Sequence, residues 1–249
     1  MMKKVSAYLI LAFLSVPLTA LASERAGDVV AVRGDAFVER QNFSIKAKKR
    51  FELLEEDNVR TEEQARIKML FRDDSILTLG PKSRLIIKQY LYSPQEKRAE
   101  SIYELVDGRL RSVVGNAVYK VTTPTAFSAA RGTTYLIWYD VLKEVTGIAV
   151  FDGEVEAGNI DPSIKETVVV RKGEVVYILK NMPPSIPSPI DTKIKDIEVE
   201  TIVEDMPDLR FPVWRPLIPP HPEWAEAVKP PIEQRPEINT RIYIYLNFP

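Results

Sequence analysis

The 249-residue chain has no cysteine and a single histidine, His221. Without thiols there is no disulfide, thiolate metal site, cysteine nucleophile or lipidated cysteine at a processed N-terminus. One imidazole leaves no histidine-based zinc set, and no metal or cofactor site is expected. His221 sits in Pro219-Pro220-His221-Pro222, a poor place for the rigid partner shell of a Ser-His-Asp apparatus, and is read as an exposed loop residue. Charge of one sign is also lacking. The 34 basic and 35 acidic residues give a formal net charge of -1, so no global field points to nucleic acid or an anionic membrane surface. No glycine loop suited to phosphates occurs. Glycine is absent after Gly173, whereas fourteen of the 19 prolines lie from Pro183 onward.

What is present begins with a secretory leader. Lys3 and Lys4 precede an apolar stretch from Val5 to Val16, Pro17 breaks it, and Ala20-Leu21-Ala22 is a small-x-small cleavage site. Residues 1–22 are therefore expected to be a signal peptide cleaved after Ala22, and the protein periplasmic or otherwise exported. Membrane association is expected only through this segment, if it stays uncleaved. No other apolar run is long enough to span a bilayer.

The glycine-rich stretch, residues 23–181, reads as many short strands. Ile67, Met69 and Phe71 alternate with polar neighbours, Asp73-Asp74-Ser75 is a turn, and Ile76 to Leu79 is its partner strand. Arg84 to Tyr92 is another β-rich run. Asp107-Gly108, Asp152-Gly153 and Lys172-Gly173 separate apolar runs and predict hairpins, because a type I′ turn needs φ > 0 at both central residues. A helix is weighed over Pro94 to Glu104. The fold class is thus all-β, a sandwich or short β-roll of many strands. Residues 182–249 form a proline-rich extension with two strand candidates, Asp191–Val203 and Arg241–Leu246, and with Trp214 and Trp224 as domain caps or partner anchors.

Four segments resemble the FecR domain of bacterial envelope proteins. The first is Gly27 to Val38, an opening strand, glycine turn and return strand. The second is Glu55 to Thr61 with Ala65 to Ser75, an acidic turn, a threonine and an alternating strand. The most specific runs from Val121 through Thr123-Pro124 to Arg131-Gly132-Thr133, a threonine-proline strand leading to an arginine-glycine-threonine corner. The last is Gly147 to Ala157, a closing hairpin. The resemblance spans Gly27 to about Lys180 and implies a periplasmic or surface β domain that contacts proteins or envelope polymers. Signalling members of the family carry a cytoplasmic segment and one span before this domain. Here only the leader precedes it, so anti-sigma activity is not expected.

At the corner, Thr123, Pro124, Arg131, Gly132 and Thr133 are read first as a structural staple. Pro124 fixes extended geometry at Thr123, Gly132 supplies a special backbone shape, and Arg131 ties carbonyls or a carboxylate. The functional reading puts Arg131 at a contact surface, holding an acidic group.

Catalysis would have to rest on carboxylates. Glu55-Glu56-Asp57, Glu62-Glu63 and Asp73-Asp74 all fall at turns and are expected to be solvated, so no catalytic residue is assigned and no enzyme is expected. Lys46-Ala47-Lys48-Lys49-Arg50 is expected to pair with Glu52 to Asp57 or stay solvated. Alternation puts Tyr135 and Tyr139 on one strand face and Trp138 on the other, a core face or a platform for sugar rings. These residues together indicate an exported, non-catalytic envelope module for binding, assembly or signalling. Its partner would be an envelope protein or a cell-wall polymer. Binding of carbohydrate or peptidoglycan is the alternative, and the oligomeric state is left open.

Overall fold

The computed structural model describes residues 25–93, 98–115, 118–199 and 201. The leader, His221, Trp214, Trp224 and the strand expected at Arg241–Leu246 lie outside the described residues.

The chain shuttles between two facing β-layers, here called A and B. β1 (Arg25–Arg33) lies in A; β2 (Ala36–Arg40) and β3 (Phe43–Lys46) form a hairpin in B; β4 (Glu52–Leu54) returns to A beside β1. β5 (Asn58–Thr61) joins β2 in B, and β6 (Arg66–Phe71) and β7 (Ile76–Leu79) form a hairpin in A against β1. β8 (Arg84–Ser93) is in B. The long β9 (Arg98–Val113) pairs with β8 through its first half and with β7 through its second, so it links the layers. β10 (Val118–Thr122) and β11 (Ala126–Ala130) lie in B, β12 (Thr134–Asp140) and β13 (Val145–Asp152) in A. β14 (Glu154–Asn159) and β15 (Thr167–Arg171) lie in B; β16 (Glu174–Leu179) and β17 (Ser188–Pro189) end layer A. Among the described pairings only β9–β10 is parallel: the chain leaves B at Gly108, travels down A and re-enters B in its starting direction. That coil gives the sandwich a β-roll character, and the fold is all-β as expected.

Alternation selects the core. In β6, Ile67, Met69 and Phe71 are buried while Arg66, Lys68 and Leu70 are only half-buried. The interlayer core carries a column of rings, Phe71–Tyr103–Tyr119–Tyr135, with successive centroids 5.1, 5.2 and 6.2 Å apart. A second apolar cluster lies on the outer face of A, where Leu136, Ala149, Phe151 and Val175 meet Ile194 of helix α1 (Thr192–Val199). Covered on both faces, β13 is buried along nearly its whole length.

Three expectations are corrected. The hairpins predicted at Asp107-Gly108, Asp152-Gly153 and Lys172-Gly173, and the return strand after Gly34, are crossings between layers: the flanking strands pair elsewhere. The glycines at these points, and Gly132 between β11 and β12, all have positive φ. Left-handed backbone turns a strand out of one layer as readily as it closes a hairpin. Paired positive φ does close a hairpin at Gln41-Asn42 (46° and 69°), between β2 and β3. Secondly, Arg98 to Glu104, within the helix weighed from Pro94, is strand. Thirdly, within the strand expected over Asp191–Val203, residues Thr192–Val199 are α1, started by Asp191, whose Oδ1 accepts the Ile194 N–H at 3.0 Å.

Candidate functional site

The threonine-proline and arginine-glycine-threonine residues separate into two places. Thr123 and Thr125 flank the exposed Pro124 at the β10–β11 turn and are buried with Thr146 of β13. Thr146 Oγ1 lies 2.6 Å from both Thr123 Oγ1 and Thr125 Oγ1. Thr123 Oγ1 also accepts the Ala126 N–H at 2.9 Å, and Thr125 Oγ1 donates to the Ile178 carbonyl at 3.2 Å. This hydroxyl network locks the turn to layer A, with every oxygen engaged.

At the other end of β11, Thr133 is buried and its Oγ1 lies 3.0 Å from the Arg131 carbonyl and 2.9 Å from the Glu154 carbonyl. The Gly132 N–H donates to the Gly115 carbonyl at 2.8 Å. A shallow cavity of about 260 Å³ adjoins the corner, lined by Val113 to Gly115, Gly132 to Thr134 and Asp152. The corner is held by Thr133 and backbone bonds. The Arg131 side chain is exposed and engages no described residue, so the tying role expected of its guanidinium falls to Thr133.

Two of the turn carboxylates expected in solvent are not there. Asp57 is fully buried: Arg40 Nε and Nη2 bind its two oxygens at 2.7 and 2.8 Å, and the Leu54 N–H adds a third bond at 2.8 Å. A bidentate guanidinium and a backbone donor make this an anchor for the β4–β5 crossing. Asp73 is half-buried at the β6–β7 turn. Its Oδ1 accepts the Ser75 N–H at 3.2 Å, Oδ2 is buried with no hydrogen-bond partner among the described residues, and desolvation raises its pKa against that donor. Glu62 pairs with Arg60 and Glu63 with Lys82 in solvent. In the basic cluster, Lys46 pairs with Asp35 at 2.6 Å, and not with Glu52 to Asp57, while Ala47 is buried.

Asp73 carries a pH prediction. Its folded pKa lies above the unfolded value of about 3.9. Between those two values the folded state binds more proton, so this group's contribution to stability falls as pH rises through the window and stays low above it. Asp73→Asn keeps an acceptor for Ser75 and removes the charge. It should raise Tm at pH 7, and the gain should shrink as pH drops through the carboxyl's titration range. Thermal melts from pH 3 to 8 test this; a lower Tm at pH 7 would show the ionised carboxylate to be stabilising.

Residues 57–156, from the Asp57 anchor into β14, match the family model FecR (FecR protein). This stretch is a FecR domain. The match takes in both threonine networks and the crossings at Gly108, Gly132 and Gly153. Two crystal structures of a candidate anti-sigma factor from Parabacteroides distasonis ATCC 8503 align with TM-scores of 0.45 and 0.44 at 12% identity. Each alignment covers 55% of this chain and 61% of that one, so the chain spans about three fifths of their length. Among curated proteins none matches.

Around the FecR domain, the aromatic platform is packed away. Tyr135 is in the interlayer core, and Trp138 lies across Gly147 and meets Tyr177 edge-on, centroids 6.0 Å apart, in the cluster under α1. The sugar-binding alternative gains no support from it. Among the described residues no group of three or more His, Cys, Asp or Glu side chains is placed to hold a metal ion. Two surfaces went unread in the sequence. One is β3, which among the described residues pairs only with β2 and is exposed throughout. Its Ile45 stands opposite buried Val38, on the interlayer side, yet Ile45 is 39% and Phe43 71% exposed. Among the described residues it is the edge of layer B, as β4 is of layer A. Short alternating runs on either side of Gln41-Asn42 were the signal. The other is a row of arginines, Arg33, Arg66 and Arg109, on the outer face of A, whose register no local pattern reveals.

Proposed function

We propose that this is an exported, non-catalytic FecR-domain module of the cell envelope that works by contacting another protein, in an assembly or as a signalling accessory. The observation carrying this reading is the exposed strand β3, paired on one side only among the described residues. An edge strand presents unpaired N–H and C=O groups, and natural sheets blunt such edges with charge or cover. Here the interlayer side of the edge is apolar, and among the described residues nothing covers Phe43 or Ile45. An extended partner strand added at this edge would bury both and complete the backbone ladder. A cavity of about 420 Å³ lined by Glu39, Gln41, Asn42, Phe43, Ser44 and Asn58 adjoins it.

The leader supports export, and mass determination of the envelope form should give a chain starting at Ser23. For the contact, a photo-crosslinking phenylalanine analogue at position 43 should capture one protein in intact cells. The same analogue at Lys193 on α1 should not, and Phe43→Lys should abolish co-purification without lowering Tm. Capture equal at both positions would overturn the role of β3. Retention by purified cell wall, with no protein adduct, would overturn the protein-binding reading.

A further inference from the structure

The register of β3 fixes which of its groups a partner can reach. The Ala47 N–H donates to the Ala36 carbonyl at 2.8 Å, and opposed residues of an antiparallel ladder alternate between hydrogen-bonded and open pairs. Counted back along β2 and β3, Ile45 with Val38 and Phe43 with Arg40 are hydrogen-bonded, whereas Lys46 with Phe37 and Ser44 with Glu39 are open. The N–H and C=O groups of Ser44 and Lys46 therefore point away from β2, and no described residue bonds them. A strand laid there gains ladder bonds at both positions. Its residue opposite Ile45 falls on the interlayer side, against Ile45 and Phe43. Its residues opposite Ser44 and Lys46 fall on the outer face.

Charge selects the strand. Residues 41–50 contain four basic side chains, Lys46, Lys48, Lys49 and Arg50, and no acidic one. Lys46 pairs with Asp35, but Lys48, Lys49 and Arg50 are exposed and enter no ion pair among the described residues. Their turn is fastened to the domain. Arg50 has a φ of 69°, its N–H donates to the Val29 carbonyl at 2.7 Å, and the Phe51 N–H donates to the Lys48 carbonyl at 3.0 Å. The turn joins β3 to β4, the edges of B and A among the described residues, so its cations stand at the rim an added strand must pass. A second copy fits this rim poorly. The antiparallel register that sets Phe43 opposite Ile45 sets Lys46 opposite Asn42, and residues 41–50 of the other copy bring only further positive charge. A polyphosphate would meet the cations but leave the Ser44 and Lys46 carbonyls without donors and Phe43 and Ile45 uncovered. An acidic strand answers all three needs.

We propose that the partner segment of β3 is an extended acidic strand, with an apolar residue opposite Ile45 and carboxylates opposite Lys46 and along the Lys48-Lys49-Arg50 turn. The proposal rests on the reading of β3 as the contact edge and adds the chemistry of what binds there: the ladder and the apolar pair hold the strand, and the basic turn chooses it.

Three short capped peptides test this on the full chain, one alternating valine with glutamate and two with glutamine or lysine in place of the glutamate. The glutamate peptide should bind about tenfold more tightly than the glutamine peptide, the sum of a few surface ion pairs, and about 1 M salt should remove most of that difference. Its binding should slow hydrogen exchange at the Ser44 and Lys46 amides, which adsorption by charge alone would not do. Lys48→Glu with Lys49→Glu, both on exposed side chains, should invert the order so that the lysine peptide binds best. Equal protection of Ser44 and Lys46 by all three peptides would overturn the acidic preference and leave the edge reading standing. Protection by none of them would overturn both. Tight binding of the glutamate peptide without protection of these amides, or its full displacement by polyphosphate, would make the turn a site for anionic polymers. Protection that rises with protein concentration and no peptide present would make a second copy the occupant, and either result would overturn the proposal.

Discussion

Gly108→Ala is expected to destabilise the domain by about 2–5 kcal/mol, whereas Gly173→Ala, at the same backbone angle, should cost only about 1–2 kcal/mol. The two glycines have φ of +86° and +84°. An L-residue in left-handed backbone costs about 1–2 kcal/mol at either site. Their surroundings differ. A Cβ on Gly173 would meet nothing within 4 Å, but one on Gly108 would lie 2.6 Å from Ser83 Cα. Ser83 cannot withdraw cheaply, since its Oγ accepts the Arg109 N–H at 2.9 Å and donates to the Pro81 carbonyl at 2.8 Å. Overpacking of this kind adds about 1–3 kcal/mol. Gly108 is where β9 passes from one layer to the other, so the strain falls on the strand that links them. Against a total stability of about 5–15 kcal/mol the loss is large. Urea denaturation of both variants is the measurement, and equal losses would refute the close packing at Ser83.

The same residue shows how far the sequence could be read. Apolar alternation made β6 and β7 legible, because period 2 is a property of the chain itself and those strands pair with their nearest neighbour in sequence. The Asp-Gly and Lys-Gly signals announced left-handed backbone correctly. The course of the chain after a left-handed residue is decided by which strand waits to be paired, and that partner lies far away in sequence. Gly153 illustrates this: β14 beyond it pairs with β11 and β15, never with β13. Arg131 was read as a staple because arginine donors can tie a corner, yet the tie is made by Thr133, which competes for the same carbonyls at shorter reach. The solvated reading of Asp57 failed for a related reason: its partner Arg40 is seventeen residues away across the β2–β5 pair. In the tail, the apparent alternation of Ile197, Val199 and Thr201 hid a helical spacing from Ile194 to Ile197. The start signal was Asp191, a cap just after the last proline of that cluster. The candidate contact surfaces were the least legible. An edge is defined by the strand that is missing beside it, and the arginine row by registers between β1, β6 and β9.

Among the buried rings, Tyr119→Ala should cost about 3–5 kcal/mol, the range for losing a large core ring, whereas Tyr103→Phe should cost nothing or be stabilising. Tyr119 sits mid-column between Tyr103 and Tyr135, so its removal opens a cavity that two neighbours line. It also leaves Ser112 Oγ, 2.9 Å from the Tyr119 hydroxyl, without that partner. The two phenylalanine variants separate packing from hydrogen bonding. Tyr119→Phe keeps the ring and strands Ser112, for a loss of about 1–3 kcal/mol, the penalty for a buried polar atom left unpaired. The Tyr103 hydroxyl is fully buried with no hydrogen-bond partner among the described residues, and burial pushes its pKa well up. Deleting that oxygen removes a desolvation penalty and no bond. Denaturant unfolding of the three variants should therefore rank Tyr119→Ala least stable, Tyr119→Phe next, and Tyr103→Phe level with or above the natural chain. A Tyr103→Phe loss as large as that of Tyr119→Phe would mean that a bound water satisfies the hydroxyl and that the column is wetter than its packing indicates.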